Sequence, residues 1–309
     1  MSLPRKDALR RRQRVLQAIR RFFDTDGYLE VETPLLVTSP GLDPHLDAFA
    51  VTCGRHMRYL HTSPEYAMKR LVAEGFPAVY QICKAFRQDE CGHLHNPEFT
   101  LLEWYRSGND LAGLITDTEH LVAQVCHGVR SNLQLRRPDG TVVDLTPPWP
   151  RMTVRDAFRH FTDTSMEEAL VDEERFFRAL VDEIEPALDR SRPTVLYAYP
   201  ASMASLARLS SDDPTVADRF EVYVDGVELC NGFAELTDPH EQRHRFQAEQ
   251  QQRRDAGKPV YPIDEKFLSS LEHGLPACAG NALGVDRLVM LLSDAASIAE
   301  IMSFTSDQV

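Results

Sequence analysis

A hairpin near residue 225 carries two glutamates that could hold a divalent cation. Residues 220–233 alternate apolar and polar side chains around Asp225 and Gly226, which is typical of a two-residue hairpin turn. In that register Glu221 and Glu228 share one face as diagonal neighbours, roughly 7–8 Å apart at the backbone. Two such carboxylates repel each other unless a cation lies between them, and Mg²⁺ prefers oxygen ligands and brings phosphates with it. The spacing therefore predicts a magnesium site, the alternative being two solvated glutamates.

The position of Glu235 depends on whether this hairpin is regular. Pairing outward from the turn places Glu221 opposite Cys230. Simple alternation then places Glu235 on the face opposite to the two glutamates. A β-bulge at Gly232 would return Glu235 to their face, because a bulge inserts one unpaired residue. The sequence leaves both arrangements open.

Two arginines and an aromatic residue could bind a nucleotide beside the hairpin. Arg87 ends a predicted strand, where an arginine can hold a phosphate through two parallel hydrogen bonds. Phe99, in the next strand, offers a face on which a purine could stack. Residues 280–287 contain glycines that let a ligand approach the backbone, and Arg287 begins an apolar helix, where anions are favoured. Each feature alone could be a surface ion pair or a turn, but together they predict an ATP site on a sheet.

Several other classes of site are disfavoured by motifs that the sequence lacks. It contains no P-loop, no glycine-rich dinucleotide-binding turn and no nucleophile elbow. Phosphate-loop kinases, Rossmann enzymes and serine hydrolases are therefore poor matches. Cys91, His93 and His95 lie close together, but no second ligand pair follows at zinc spacing, so structural zinc is also disfavoured.

The elements that must position these residues predict an α+β fold, because helices are mixed with antiparallel hairpins. One predicted helix ends at residue 23, and two others cover 66–74 and 111–129. The segments predicted to form strands are 28–34, 79–87, 98–105, 133–145 and 195–236. An acidic helical stretch at about 155–190 is interpreted as an insertion. The chain shows no repeat or low-complexity linker, so residues 1–309 are predicted to form one domain, with the proline-rich 146–150 as an internal connection.

Composition and charge predict a soluble cytoplasmic protein. The 309 residues contain 34 Lys and Arg against 47 Asp and Glu, a net charge of −13 that mildly disfavours broad nucleic-acid binding. No apolar run approaches the roughly 18 residues needed to cross a bilayer. Six scattered cysteines without a secretion signal predict reduced thiols. Arginines within residues 10–14 lie on a predicted surface helix and form either a solvated face or a docking patch for an acidic partner or RNA.

These stretches resemble the three signature motifs of the class II aminoacyl-tRNA synthetases. Residues 27–34 resemble motif 1, residues 86–99 motif 2 and residues 284–287 motif 3, while 95–100 and 231–235 are similar to the lysyl enzymes. The resemblance covers nearly the whole chain. It implies an antiparallel sheet flanked by helices, the use of ATP and Mg²⁺, and a homodimer, because motif 1 forms the dimer interface of class II enzymes.

The resemblance also implies a role for each matching residue. Arg87 would hold the α-phosphate of ATP and Arg287 would contact the adenine or the γ-phosphate, which makes both catalytic candidates. The nucleotide site would consist of Arg87, Asp89, His95, Asn96, Phe99, Glu228, Leu229, Gly284 and Arg287. The amino-acid substrate would contact Ser63, Pro64, Glu65, Tyr105, Glu235 and Ala282, with Glu103 assisting. Glu221 and Glu228 would carry Mg²⁺, and Glu65 and Glu235 would pair with the two ammonium groups of a lysine-like substrate, since an unpaired buried charge is costly.

One further comparison concerns the acceptor of the activated amino acid. Lysyl-tRNA synthetases carry an N-terminal OB-fold that binds the anticodon, and its five strands need well over the 26 residues that precede Gly27. The chain is similar instead to the stand-alone paralogues that attach (R)-β-lysine to a lysine of translation elongation factor P. Ala282 stands where lysyl synthetases commonly have glycine, which would favour a β-amino acid. The alternatives are a truncated enzyme that charges tRNA and a non-catalytic regulator that binds an amino acid.

Overall fold

The structure is a computed structural model that describes residues 4–137 and 139–309. Its strands are β1 (Leu29–Glu30), β2 (Leu36–Val37), β3 (Ala50–Cys53), β4 (His56–Leu60), β5 (Ala78–Phe86), β6 (Glu98–Ser107), β7 (Gln134–Arg136), β8 (Val142–Asp144), β9 (Arg151–Thr153), β10 (Thr194–Pro200), β11 (Val216–Val224), β12 (Val227–Ala234) and β13 (Cys278–Gly284). Its α-helices are α1 (Arg5–Thr25), α2 (Glu65–Ala73), α3 (Leu111–Arg130), α4 (Val154–Phe161), α5 (Met166–Ala169), α6 (Glu173–Ala179), α7 (Glu185–Ala187), α8 (Pro239–Asp255), α9 (Glu265–Gly274) and α10 (Val285–Leu292). A π-helical turn, Leu180–Ile184, joins α6 to α7.

An eight-stranded sheet forms the centre of the fold. Its order is β1-β5-β6-β13-β12-β11-β10-β9, with parallel pairing only at the two ends, where β1 meets β5 and β9 meets β10. The five remaining pairs, from β5 to β10, are antiparallel. This arrangement confirms the predicted α+β fold with an antiparallel sheet flanked by helices.

The sheet separates an apolar core from the face that carries polar side chains. On β6, Leu102 and Trp104 belong to the core cluster that includes residues of α1, α3 and α10. Tyr105, the next residue along, joins a second cluster with residues of α2, α8 and α9. Because successive side chains of a strand point to opposite faces, the same strand supplies both layers. The polar residues of the site therefore stand on the α2 and α8 side of the sheet.

Helix α1 packs through a narrow apolar stripe. Val15, Ile19, Phe22 and Phe23 are buried in it, whereas Leu9 and Leu16 are half-buried. The helix is amphipathic with a narrow apolar face, which suits its position against α3. Among the described helices, none combines the length and the apolar character that a membrane-spanning helix requires.

The arginines of α1 are largely occupied by contacts within the protein. Arg11 donates to the carbonyl oxygen of Leu292 at 2.9 Å. Arg12 donates to the Asp286 carboxylate and to the Thr100 hydroxyl, so it ties α1 to β6 and α10. Arg11 and Arg12 therefore anchor the helix, which neither alternative given for residues 10–14 included, while Arg10 and Arg14 are exposed.

The helical prediction for residues 155–190 is confirmed, and these helices rest on the sheet. The segment 154–187 holds α4 to α7 and buries Phe158 and Phe176 against each other, with ring centroids 5.0 Å apart. The same cluster contains Leu196 of β10 and Tyr223 of β11. The 154–187 helices are thereby fixed beside the strands that carry the glutamates.

Candidate active site

A cavity of about 580 Å³ opens on the polar face of the sheet. The residues predicted for the site that line it are Ser63, Pro64, Glu65, Arg87, His95, Asn96, Phe99, Tyr105, Glu221, Glu228, Leu229, Ala282, Gly284 and Arg287. They come from α2, β6, β11, β12, β13, α10 and the loop after β5. The fold therefore brings together segments that lie more than 200 residues apart in the chain. A volume of this size is in the range typical of small-molecule sites.

The hairpin that carries the glutamates has a bulge that the sequence did not predict. The turn at Asp225 and Gly226 is confirmed, and Tyr223 pairs with Glu228 as expected. Val222 then pairs with Cys230, so Leu229 is the extra residue. Pairing resumes beyond it, with Glu221 opposite Asn231 rather than Cys230.

The bulge at Leu229 also settles the orientation of Glu235. Because one extra residue shifts the alternation, Asn231, Phe233 and Glu235 lie on the same face as Glu221 and Glu228. Of the two arrangements that the sequence left open, the structure has the one that returns Glu235 to this face, but the bulge lies at Leu229 and not at Gly232. Gly232 has a different role, since a Cβ atom there would lie 2.7 Å from the ring of Phe220.

Glu221 is held by three donors. Oε2 accepts hydrogen bonds from the hydroxyls of Tyr199 at 2.6 Å and Tyr223 at 2.7 Å, and Oε1 accepts one from Arg219 at 2.8 Å. Burial, followed by the charge of Glu228, raises the pKa of Glu221. A carboxylate oxygen has two lone pairs, so Oε2 is saturated while Oε1 keeps one free.

This arrangement fits a magnesium ion that arrives with a nucleotide. Within residues 4–137 and 139–309, no three His, Cys, Asp or Glu side chains form a self-sufficient metal site. Mg²⁺ does not need one, because it commonly binds one or two carboxylates together with substrate phosphates and water. The free lone pair on Oε1 of Glu221 and the neighbouring Glu228 carboxylate supply that number of ligands, and a cation would relieve their mutual repulsion.

Arg287 is oriented before any nucleotide binds. Its Nη1 donates to the carbonyl oxygen of Glu228 at 2.8 Å and to Oε2 of the same residue at 3.1 Å. Its Nη2 donates to Nε2 of His95 at 2.7 Å. Burial, followed by the positive charge of Arg287, lowers the pKa of His95, so the imidazole remains a neutral acceptor. The guanidinium is thus fixed at the edge of the cavity where a phosphate would lie.

Arg87 is positioned but only weakly paired. Its guanidinium lies over the ring of Phe99, 5.1 Å from the centroid, and Nη1 lies 3.4 Å from Glu90. Its Nε has no hydrogen-bond partner among the described residues. The structure does not bring Asp89 into the cavity: Asp89 is exposed on a turn with φ 65°, and Glu90 lines the cavity in its place.

Glu103 is the central carboxylate of the amino-acid side of the cavity. It accepts hydrogen bonds from the Ser63 hydroxyl at 2.6 Å and from the Tyr105 hydroxyl at 2.5 Å. Burial, followed by the charge of Glu65, raises the pKa of Glu103 to about 7. Ser63 and Tyr105 were predicted to contact the substrate directly, and the structure shows that they also orient Glu103.

Lys69 is the main residue that the sequence did not single out. It is only 1% exposed, and its Nζ lies 2.6 Å from Oε1 of Glu65 and in direct contact with Glu235. Burial favours the neutral amine, but the charges of Glu235 and Glu65 outweigh it and raise the pKa of Lys69. Glu235 is therefore paired inside the protein and lies outside the set of described residues that line the cavity.

A comparison with protein families gives this geometry its context. The sequence model described as tRNA synthetases class II (D, K and N) matches residues 3–308, which is almost the entire chain. The chain belongs to the class II tRNA synthetase family. Residues 86–99 and 284–287 both contribute to the cavity, whereas β1 lies at the edge of the sheet and only Pro34 of residues 27–34 lines the cavity.

Curated relatives match the chain over nearly its full length. A protein of Klebsiella pneumoniae subsp. pneumoniae named elongation factor P–(R)-β-lysine ligase is 42% identical over 97% of this chain and 95% of the relative. A protein of the same name from Edwardsiella ictaluri is also 42% identical, with the same coverage. A third, from Salmonella paratyphi B, is 41% identical over the same shares of both chains.

Proposed function

We propose that this protein activates (R)-β-lysine or lysine with ATP as an aminoacyl-adenylate. It then transfers the aminoacyl group to a lysine side chain of translation elongation factor P. The proposal rests on the cavity. It places two arginines and the proposed magnesium ligands beside two further carboxylates, Glu65 and Glu103. The relatives that align over 97% of the chain are named for this ligase activity, which supports elongation factor P as the acceptor. Such an enzyme would act in the cytoplasm, where translation occurs.

Activation needs charge stabilisation rather than a general base. The carboxylate of an amino acid is already ionised at neutral pH, because its pKa is about 3.5. One of its oxygens attacks the α-phosphorus of ATP, and the bond to pyrophosphate breaks. Arg87 and Arg287 stabilise the negative charge that develops on the phosphoryl oxygens. A bound Mg²⁺, held by Glu221 and Glu228, would supply further positive charge against the phosphates.

The amino-acid pocket matches a substrate with two ammonium groups. Glu65 and Glu103 line the cavity, and Lys69 compensates Glu235 behind them. When Glu65, Glu103 and Glu235 are all ionised, the single ammonium group of Lys69 leaves two negative charges for the substrate. Ala282 lies on the same strand face as Gly280, where its methyl group narrows the floor of the pocket beside Glu103. This methyl group favours a β-amino acid.

Transfer requires the acceptor lysine to lose a proton, because an ordinary lysine has a pKa of about 10.4. Its nitrogen attacks the carbonyl carbon of the adenylate, and the bond from that carbon to the phosphate oxygen breaks to release AMP. His95 is a poor base, since burial and Arg287 lower its pKa. We therefore assign the proton to the phosphate of the departing AMP.

Exchange of pyrophosphate into ATP tests the activation step. Wild-type protein with ATP, Mg²⁺ and either lysine isomer should catalyse the exchange, and norleucine, which has one ammonium group fewer, should not support it. Equal exchange with lysine and norleucine would contradict the pairing of both ammonium groups. If pyrophosphate exchange occurs but elongation factor P is not modified, the adenylate step is supported and elongation factor P is rejected as the acceptor.

The pKa of Glu103 predicts how lysine use depends on pH. Below pH 7 the carboxyl is mostly protonated and cannot pair with an ammonium group, and above pH 7 it is ionised. The kcat/KM for lysine in pyrophosphate exchange should therefore rise by up to tenfold per pH unit below about 7 and level off above it. The Glu103→Gln variant should be weaker and lack this inflection. An unchanged inflection in that variant would assign it to another group.

A homodimer is the assembly that the exposed apolar residues support. Large apolar side chains are exposed near the β1 edge of the sheet and on the small β2-β4-β3 sheet: Leu29, Leu35, Leu36, Met57 and Phe76. If these side chains form one apolar surface, it is of the kind that marks protein interfaces. Light scattering should give twice the 35.0 kDa chain mass for the wild type. Leu29→Glu with Leu36→Glu should give the monomer, whereas the exposed Val181→Glu should not.

A further inference from the structure

Tyr223 lies between two carboxylates that come from different parts of the fold. Its hydroxyl oxygen is 2.7 Å from Oε2 of Glu221 and 3.1 Å from Oε1 of Glu185. Glu221 stands on β11 in the cavity wall, whereas Glu185 begins α7 in the 154–187 helices. The tyrosine therefore connects the proposed magnesium site to helices outside the cavity.

Counting hydrogens determines the direction of these two hydrogen bonds. A tyrosine hydroxyl has one hydrogen to donate, and an ionised carboxylate can only accept. The hydroxyl of Tyr223 donates its hydrogen to Glu221, because that contact is the shorter one. The Glu221 carboxylate also accepts hydrogen bonds from Tyr199 and Arg219. When Glu185 is protonated it can donate to the oxygen of Tyr223, and when it is ionised it shares the single hydrogen of Tyr223 with Glu221. Burial raises the pKa of Glu185 to about 7 despite the opposing effect of the hydrogen bond to Tyr223, so both protonation states are populated near neutral pH.

The backbone around Glu185 holds it in this position. The π-helical turn Leu180–Ile184 immediately precedes it, and such turns are often found at functional sites. Ile184 and Leu188 are buried on either side, in the cluster that packs on β10 and β11. Glu185 is itself outside the set of described residues that line the cavity, so it acts on Glu221 only through Tyr223.

We propose that Glu185 is a positioning residue of the magnesium site, which acts through Tyr223 to hold Glu221 with its free Oε1 lone pair toward the nucleotide phosphates. Partners in the shell behind a metal ligand fix its orientation, and their loss typically lowers metal affinity by 10–100-fold. The 154–187 helices are then part of the active site, although they stand behind the cavity wall. The inference rests on the proposed function, because it assigns the role of Glu221 as a magnesium ligand.

The test measures metal affinity apart from catalysis. Binding of Mn²⁺ or Mg²⁺ to the full chain is titrated by calorimetry in the presence of α,β-methylene-ATP, and the KM for lysine is measured separately by pyrophosphate exchange. Glu185→Leu should weaken metal binding about 10-fold or more and leave the KM for lysine unchanged. Glu185→Gln keeps both a donor and an acceptor, so it should bind metal like the wild type. Glu183→Leu changes an exposed glutamate of the same segment and is the matched control.

Tyr223→Phe gives a second route to the same answer. It should weaken metal binding at least as much as Glu185→Leu. The double variant should bind metal as tightly as Tyr223→Phe alone, because both changes break the same chain of hydrogen bonds. Wild-type metal affinity in Glu185→Leu, additive losses in the double variant, or an equal loss in Glu185→Gln would overturn the proposal. If Glu185→Leu does not fold, Glu185→Gln and Tyr223→Phe decide the question. Wild-type protein that binds metal and nucleotide normally but never modifies elongation factor P would refute the acceptor and leave this inference standing.

Discussion

Replacing Arg87 with alanine should slow adenylate formation by about 10²–10³-fold, the usual effect of removing one donor that stabilises charge in a transition state. The guanidinium of Arg87 lies at the cavity over the ring of Phe99. Its contact to Glu90 is long, at 3.4 Å, so some of its N–H groups lack a good acceptor. A phosphate can therefore replace the weak contact to Glu90. The measurement is the kcat of lysine-dependent pyrophosphate exchange at saturating ATP.

Two further variants separate geometry from charge at Arg87. Arg87→Lys keeps the positive charge but cannot form two parallel hydrogen bonds, so its rate should fall between those of the wild type and Arg87→Ala. Lys84→Ala removes an exposed cation from β5, the strand that leads to Arg87, and should leave the rate unchanged. A loss of less than tenfold in Arg87→Ala would contradict its assignment as a catalytic residue.

Replacing Lys69 with methionine should lower the free energy of unfolding by about 3–5 kcal/mol, because it leaves a buried carboxylate without its partner. Lys69 and Glu235 are both almost completely buried, and the aromatic ring of Phe233 lies 5.1 Å from Nζ. The Lys69→Met, Glu235→Gln double variant removes both charges and should recover most of the loss. Urea denaturation followed by circular dichroism measures the free energy of unfolding in each case.

The chain offers a matched control for Lys69. Arg178 and Glu174 form another ion pair at i,i+4 spacing on a helix, with the two side chains 65% and 81% exposed. Because exposed pairs contribute little, Arg178→Met should be close to the wild type in stability. A similar small loss for Lys69→Met, or no recovery in the double variant, would contradict the role of Lys69 as the internal partner of Glu235.

Local sequence patterns predicted the elements that carry the site. The turn at Asp225 and Gly226, the helix α3 and the antiparallel pair of β5 and β6 are all confirmed within a few residues. Each depends on features that lie close together in the chain, such as turn residues and alternation. Most of the residues quoted from 86–99 and 284–287 also line one cavity, whereas of residues 27–34 only Pro34 does.

Contacts between distant segments were not predictable in the same way. The bulge at Leu229 depends on how β12 pairs with β11, and nothing in the local sequence distinguishes Leu229 from its neighbours. The pairing of Lys69 with Glu235 joins residues 166 positions apart, although the i,i+4 spacing of Glu65 and Lys69 was a usable signal. Glu185 belongs to an acidic helical stretch that the sequence analysis interpreted only as an insertion, with no link to the site.

The most direct test of the proposed function is the intact mass of elongation factor P after incubation with this protein, ATP, Mg²⁺ and (R)-β-lysine. Parallel reactions contain α-lysine, omit ATP, use Arg87→Ala, or offer tRNA in place of the factor. We predict that the factor gains the mass of one lysyl group, that the gain is largest with the β isomer, and that it requires ATP and Arg87. An unchanged mass of the factor, together with aminoacylated tRNA, would contradict the assignment of the acceptor and identify the chain as a tRNA-charging enzyme.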